Sequence, residues 1–165
     1  MASRQKGKSR GKTNEPTIEN RRARHHYFID DTLECGIKLT GTEVKSVRNG
    51  QVSLAEGFAR AADSPIGLTL HGVHIAEYPP AGEQHQHEPA RVRRLLSHRR
   101  QIRKLAAKTR EAGTTLVPLK MYFVNGRVKL LIGLAHGRRR ADKRQDMSKR
   151  EARREIDRAI SRRQS

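Results

Sequence analysis

The sequence predicts a mainly β fold: an antiparallel β-barrel of about six strands with two or three helices, carrying basic N- and C-terminal tails expected to be disordered. Three observations carry this. Apolar residues alternate with polar ones at short spacing from Leu33 to Ile132, the period of half-buried strands. An Asn125-Gly126 pair separates two such runs, and Asn-Gly tolerates the positive φ angles of a type I′ hairpin turn. Charge gathers in three runs: residues 1–24 hold eight basic and two acidic side chains, 91–110 nine and none, and 138–165 twelve and five. They sum to +22 of a net +19, so the rest of the chain carries −3. A nearly neutral body thus bears two basic tails and one basic element.

Residues 1–18 have no apolar periodicity and read as a disordered arm. Residues 19–136 read as the barrel and 137–165 as a basic tail. Within the barrel, His26-Tyr27-Phe28-Ile29 suits a short strand, and Leu33, Cys35, Ile37 and Leu39 alternate as a second. Gly41-Thr42 offers a turn and an N-cap, with Val44 and Val47 on a short helix that Gly50 ends. Val52, Leu54 and Phe58-Ala59 read as a strand kinked at Gly57. Ile66, Leu68, Leu70, Val73 and Ile75 read as strand with a bend at Gly72. Tyr78 to Pro89 is a polar loop. Leu95, Leu96, Ile102, Leu105 and Ala106 recur at helical spacing up to Gly113, with Ser97 a candidate N-cap inside the run. Leu119, Met121 and Phe123, then Val128, Leu130 and Ile132, are the hairpin arms. In the tail, Ala152, Ile156, Ala159 and Ile160 form a narrow helical stripe, too weakly apolar to hold a lone helix until a partner orders it.

Composition excludes several classes. The chain has 165 residues, 34% hydrophobic and 4% aromatic, without Trp, so its core is small. No apolar run approaches the ~18 residues of a membrane span, and the basic start lacks the apolar stretch of a secretory signal. A single Cys35 forms no intramolecular disulfide or Cys-based zinc site and reads as a small core residue. A sequence pI near 11.2 calls for a polyanionic partner, with nucleic acid favoured and an anionic membrane the alternative that charge alone leaves open. A cytoplasmic protein is expected.

Catalytic signatures are missing: there is no P-loop, no GxGxxG after a strand, no GxSxG and no HExxH. His85 and His87, with Glu83 and Glu88, lack a properly spaced fourth ligand. His25-His26 beside Arg24 has the look of a nuclease pair but no acidic cluster for magnesium. No enzyme, metal or cofactor is expected.

Four blocks occur in order: Asn20-Arg21-Arg22-Ala23-Arg24-His25-His26-Tyr27-Phe28-Ile29; Gly41-Thr42-Glu43-Val44-Lys45-Ser46-Val47-Arg48-Asn49-Gly50; the hairpin into Ile132-Gly133-Leu134-Ala135; and Gly137-Arg138-Arg139-Arg140-Ala141-Asp142-Lys143-Arg144. Over residues 18–160 the chain resembles the SsrA-binding protein (SmpB) family. That resemblance implies an oligonucleotide-binding-like barrel and an RNA-binding adaptor for trans-translation. Its partner would be the tRNA-like domain of tmRNA (SsrA RNA), delivered to the empty A site of stalled ribosomes so that nascent peptides are tagged for degradation. Elongation factor Tu and alanyl-tRNA synthetase would be reached indirectly, through tmRNA, and the protein would act as a monomer. A basic ribosomal or rRNA-binding protein is the competing reading.

By the same resemblance, Asn20, Glu34, Leu96 and Lys129 support tmRNA binding. Asn20 and Glu34 would offer hydrogen bonds, Lys129 a phosphate partner, and Leu96 apolar packing unless it belongs to the core. Arg22, Arg24, Lys45 and Arg48 are added as cations of the matching blocks. Gly137, Arg138, Arg139, Arg140, Asp142, Lys143 and Arg144 would meet the small-subunit rRNA of the decoding centre. Lys149, Arg150, Arg153 and Arg154 would lie on a helix in the vacant mRNA channel. Where many family members have His before Asp-Lys-Arg, this chain has Ala141, so that role is not carried over.

Overall fold

A computed structural model describes residues 15–138, and the expectations for 1–14 and 139–165 lie outside the described residues. The element order is β1 (Ile18–Glu19), α1 (Arg21–His26), β2 (Tyr27–Ile37), α2 (Gly41–Arg48), β3 (Val52–Ser53), β4 (Phe58–Asp63), β5 (Ile66–His71), β6 (His74–Ile75), β7 (Arg93–Leu96), α3 (Arg99–Lys108), β8 (Thr114–Val124) and β9 (Arg127–Gly137). Strands β8, β4, β5, β7, β2 and β9 follow one another, and β8–β9 pairing closes them into a six-stranded ring. Every pairing is antiparallel. β1 adds to β8, and β3–β6 forms a separate two-stranded ribbon.

The barrel interior follows from alternation. Leu116 and Met121 on β8, Leu130 and Ile132 on β9, Cys35 on β2 and Leu68 and Leu70 on β5 are buried together. α3 adds Ile102 and Leu105 to this core and packs on β4 and β5. Asn125 (φ 52°) and Gly126 (φ 74°) turn the β8–β9 hairpin, as the positive-φ preference of Asn-Gly requires. Gly57 is glycine because of a close approach: an added Cβ would lie 2.6 Å from Val73 Cγ2 and 2.7 Å from Pro118 Cγ.

Several expected elements differ. The two runs at Tyr27–Ile29 and Leu33–Ile37 are one strand, with a register shift between Ile29 and Asp31 that resets the alternation. Leu39 lies beyond that strand, and His26 closes a helix instead of opening a strand. α1 has no counterpart among the expected elements. The N-cap of α2 is Thr40, whose N–H donates to Glu43 Oε2 at 2.7 Å. Val52 and Phe58 belong to separate strands that pair with different partners. Arg93–Leu96 is a strand, not the start of α3: a buried arginine occupies an inward position and hides the period of two. α3 starts after His98, not Ser97; Ser97 Oγ instead donates to Gln101 Oε1 at 2.6 Å.

The edges of the body also shift. Ile18 pairs with Met121, inside the segment expected as arm. Gly137 is the last residue of β9, opposite Tyr27, and the Arg138 N–H donates to the His26 carbonyl at 3.0 Å. The sheet therefore extends through the first residue assigned to the tail, and Arg138 is bonded to it.

Candidate nucleic-acid interface

Outward positions of β2, β8 and β9 converge on one cluster. Register places Lys129 opposite both Gly36 and Tyr122, and Glu34, two residues before Gly36, points to the same face. Lys129 Nζ lies 3.3 Å from Glu34 Oε1, while the Tyr122 hydroxyl donates to Glu34 Oε2. That hydroxyl first, and Lys129 second, hold the Glu34 carboxyl below its ordinary pKa. Reciprocally, the bond to Glu34 pushes the Tyr122 phenol up to about 12. Glu34 is thus a charged acceptor fixed from two sides.

Beside it runs a groove with Leu39, Val44 and Leu96 as apolar walls and Arg127 and Lys129 as cations. Leu96 is 54% exposed, while Leu95, its neighbour on β7, is buried, so Leu96 belongs to the surface and not to the core. An apolar wall next to lysine and arginine suits an unstacked base with its phosphate.

Asn20 makes its described bonds within the fold. It is buried, its Oδ1 accepts from the Ala23 N–H at 3.0 Å, and its Nδ2 donates to the Leu54 and Pro118 carbonyls, each at 2.9 Å. Those bonds use both amide donors within the fold, so Asn20 caps α1 and pins it to the barrel. α1 carries Arg22 and Arg24. Arg22 forms an exposed ion pair with Glu56 at 3.3 Å, away from the groove of Leu96. Arg24 lines a separate cleft with Phe28 and Arg138.

On α2, Lys45 Nζ stands 5.0 Å from the Tyr78 ring centroid, and Arg48 stacks over Phe123 at 5.7 Å with Glu15 3.9 Å away. Gly137 has open space around a built Cβ, so the fold itself does not demand glycine there. Arg138 packs on the Phe28 ring at 4.2 Å and donates from Nε to the Tyr27 carbonyl at 3.2 Å. Arg139, Arg140, Asp142, Lys143, Arg144, Lys149, Arg150, Arg153 and Arg154 lie outside the described residues.

Two features escaped the sequence. Tyr122 reads there only as a polar position between Met121 and Phe123; its facing of Lys129 follows from the hairpin register and was within reach. The other is a buried ion cluster. Glu43 and Arg93 are fully buried with Arg93 Nε 2.8 Å from Glu43 Oε1, and Arg91 makes a two-pronged contact with the same carboxylate at 2.9 and 2.5 Å. It ties α2 to β7, hence Val44 to Leu96 across the groove. Of the loop histidines, His87 is buried and both its ring nitrogens are engaged, with Thr42 Oγ1 at 2.9 Å and the Ile75 carbonyl at 3.1 Å. It is a structural residue.

A family model described as SmpB protein matches residues 17–162. The chain belongs to the SmpB family. The SsrA-binding protein of Thermobifida fusca is 53% identical over 160 residues, 97% of this chain and 98% of that protein. Its counterpart in Geobacillus thermodenitrificans is 49% identical over 146 residues, 88% and 92% of the two chains, and that of Pelotomaculum thermopropionicum 52% over 145, 88% and 93%. A solved structure described as "tmRNA-SmpB: a journey to the center of the bacterial ribosome" aligns with a TM-score of 0.64 at 47% identity, over 78% of this chain and 92% of the other. The six-stranded barrel with three helices is thus the expected oligonucleotide-binding-like fold, shared with a solved member of the SmpB family.

Proposed function

We propose that this chain is a non-enzymatic RNA-binding adaptor of trans-translation. Its ligand is the tRNA-like domain of tmRNA, bound at the Glu34–Tyr122–Lys129 cluster and the adjoining Leu96 groove. Lys129 and Arg127 meet phosphates, Leu96 packs on a base or ribose, and Glu34 holds Lys129 in place while its remaining lone pairs accept from the RNA. Lys45, Arg48, Arg22 and Arg24 extend the positive field, and Asn20 acts through α1. The single observation that carries this reading is the convergence of Glu34, Lys129 and Leu96 on one exposed surface, with membership of the SmpB family behind it.

The rest of the activity follows the family. A monomeric complex with tmRNA, working in the cytoplasm and reaching elongation factor Tu and alanyl-tRNA synthetase through the RNA, enters the empty A site. The chain from Gly137 onward, with Arg138–Arg140, Asp142, Lys143 and Arg144, then meets small-subunit rRNA at the decoding centre. Lys149, Arg150, Arg153 and Arg154 follow it into the vacant mRNA channel. Phosphate contacts of this kind position a protein on RNA without reading sequence.

Competition binding tests the proposal. Labelled tRNA-like domain is challenged with excess ordinary tRNA at two salt concentrations, with Lys129→Ala as the variant. Retention at the higher salt, poor competition by tRNA, and weaker binding by Lys129→Ala are expected. Equal competition by tRNA, with both complexes lost as salt rises, would identify a general basic RNA binder of the ribosomal-protein kind.

A further inference from the structure

The two walls of the Leu96 groove are held in different ways. Leu96 is part of the barrel: β7 pairs with β2 at Gly36, where an added Cβ would lie 3.3 Å from Leu96 Cβ. Val44, on the other wall, belongs to α2, outside the ring of strands. Val47 anchors the middle of that helix in the core. Its first turn, which carries Val44, is tied down by polar contacts. Thr42 Oγ1 lies 2.9 Å from the ring of buried His87, and Glu43 takes Arg93 and Arg91.

The two arginines are not equivalent. Arg93 is fully buried and also donates to the Val73, Arg91 and Pro89 carbonyls, so most of its bonds do not need Arg91's side chain. Arg91 keeps 28% of its side chain exposed and grips both carboxylate oxygens, Nε to Oε1 at 2.9 Å and Nη2 to Oε2 at 2.5 Å. The same Nη2 reaches the Lys38 carbonyl at 3.5 Å, and the Lys38 N–H donates to the Arg94 carbonyl at 2.9 Å. Arg91 thus joins the chain entering α2, the residue next to Val44, and the start of β7. Its Nη1 is 3.4 Å from the Val92 carbonyl, so the guanidinium is turned into the protein and not out toward a phosphate.

We infer that Arg91 is a positioning residue for RNA binding: its planar fork sets the separation of Val44 from Leu96, and with it the width of the slot that takes a base or ribose. One lysine ammonium cannot meet both carboxylate oxygens in a fixed plane. A gap opened by about 0.5–1 Å forfeits a quarter to a half of the contact attraction at that wall, so a recognition surface is as good as the bonds that hold it. This role lies beyond the contacts proposed for Leu96 and Lys129, and it rests on the reading that the groove binds the tRNA-like domain.

The test measures binding of the tRNA-like domain by full-length protein across a salt series. Arg91→Ala should weaken the complex about tenfold, and Arg91→Lys should recover only part of that loss. The slope of affinity against salt should stay at the parent's value in both, whereas loss of a direct phosphate contact would lower it by about one. Leu96→Ala should cost less in the Arg91→Ala background than alone. Lys129→Ala, whose ammonium is placed from β2 and β8, should cost the same in both. Circular dichroism and urea unfolding establish that the variants are folded under the binding conditions, and Arg91→Lys carries the same readouts should Arg91→Ala not fold. Unchanged affinity, full recovery by Arg91→Lys, a slope lowered by about one, or full additivity with Leu96→Ala would each overturn the role. So would a loss that only tracks the unfolded fraction. If the parent bound the tRNA-like domain no better than ordinary tRNA, the reading of the groove itself would fall, which is a different outcome from any of these.

Discussion

Glu43→Ala removes the acceptor on which two arginines and a helix start depend. The carboxylate takes Nε of Arg93 at 2.8 Å, Arg91 at 2.9 and 2.5 Å, and the Thr40 N–H at 2.7 Å. Breaking a buried ion pair from one side costs about 3–5 kcal/mol, because the other charge stays buried without its partner. Arg93 keeps the Val73, Arg91 and Pro89 carbonyls at 2.7, 3.1 and 2.8 Å, which argues for the lower part of that range. Loss of the capping bond at Thr40 adds about 1 kcal/mol. About 4 kcal/mol, at a urea dependence of about 2 kcal/mol per molar, moves the unfolding midpoint down by about 2 M. Glu43→Leu with Arg93→Met should recover most of it, since apolar replacement of a whole buried pair is often neutral. The pH dependence has a definite sign. Burial opposes the Glu43 charge, but the hydrogen bonds from Arg91, Thr40 and Arg93 outweigh it and hold the carboxyl below its ordinary 4.5. Its stabilisation is therefore complete above the unfolded-state value and is lost as pH falls through the lower folded value. A midpoint for Glu43→Ala within about 0.5 M of the parent at neutral pH would refute the reasoning.

Tyr122→Phe should raise the Glu34 carboxyl toward its ordinary value, read by carbon-detected NMR titration of the side chain, and should weaken the tRNA-like-domain complex while leaving the melting temperature nearly unchanged. An unmoved titration would mean that the hydroxyl does not hold Glu34. Gly57→Ala forces a methyl against Val73 and Pro118 and should cost about 1–3 kcal/mol in urea unfolding. Gly137→Ala, which meets open space, should leave unfolding unaltered, so under the proposed function any defect it causes in tagging belongs to the ribosome-bound state.

What the sequence made legible follows the visibility of each interaction. The β8–β9 hairpin was plain because its turn chemistry and both alternating arms are local. β7 was not, since Arg93 sits where a leucine would have shown the period of two, and the partners that make this burial tolerable, Glu43 and the Pro89 and Val73 carbonyls, come from other elements. The six-residue α1 carries no apolar stripe; it exists because Asn20 finds the Leu54 and Pro118 carbonyls, distant in sequence. The cluster of Glu34, Lys129 and Leu96 could be named from family resemblance, while its geometry waited on the register of three strands.

Asn20 and Glu34 also bear on how the proposed RNA surface is built. Both were expected to offer hydrogen bonds to RNA, and both make their described contacts inside the protein. A lysine on a flexible stem loses rotamer entropy when a phosphate immobilises it. Lys129 loses less, because Glu34 already restrains its ammonium and Tyr122 restrains Glu34. The ion pair is half-exposed, with relative side-chain exposure of 32% and 45%, and is worth little as a brace for the fold; its value lies in placement. Under the proposed function, Glu34→Gln should then weaken the complex mainly through faster dissociation, as a mispositioned lysine holds a phosphate less well, and it should cost less in the Lys129→Ala background than alone. Full additivity of the two substitutions in stopped-flow dissociation would mean that Glu34 and Lys129 act on the RNA independently.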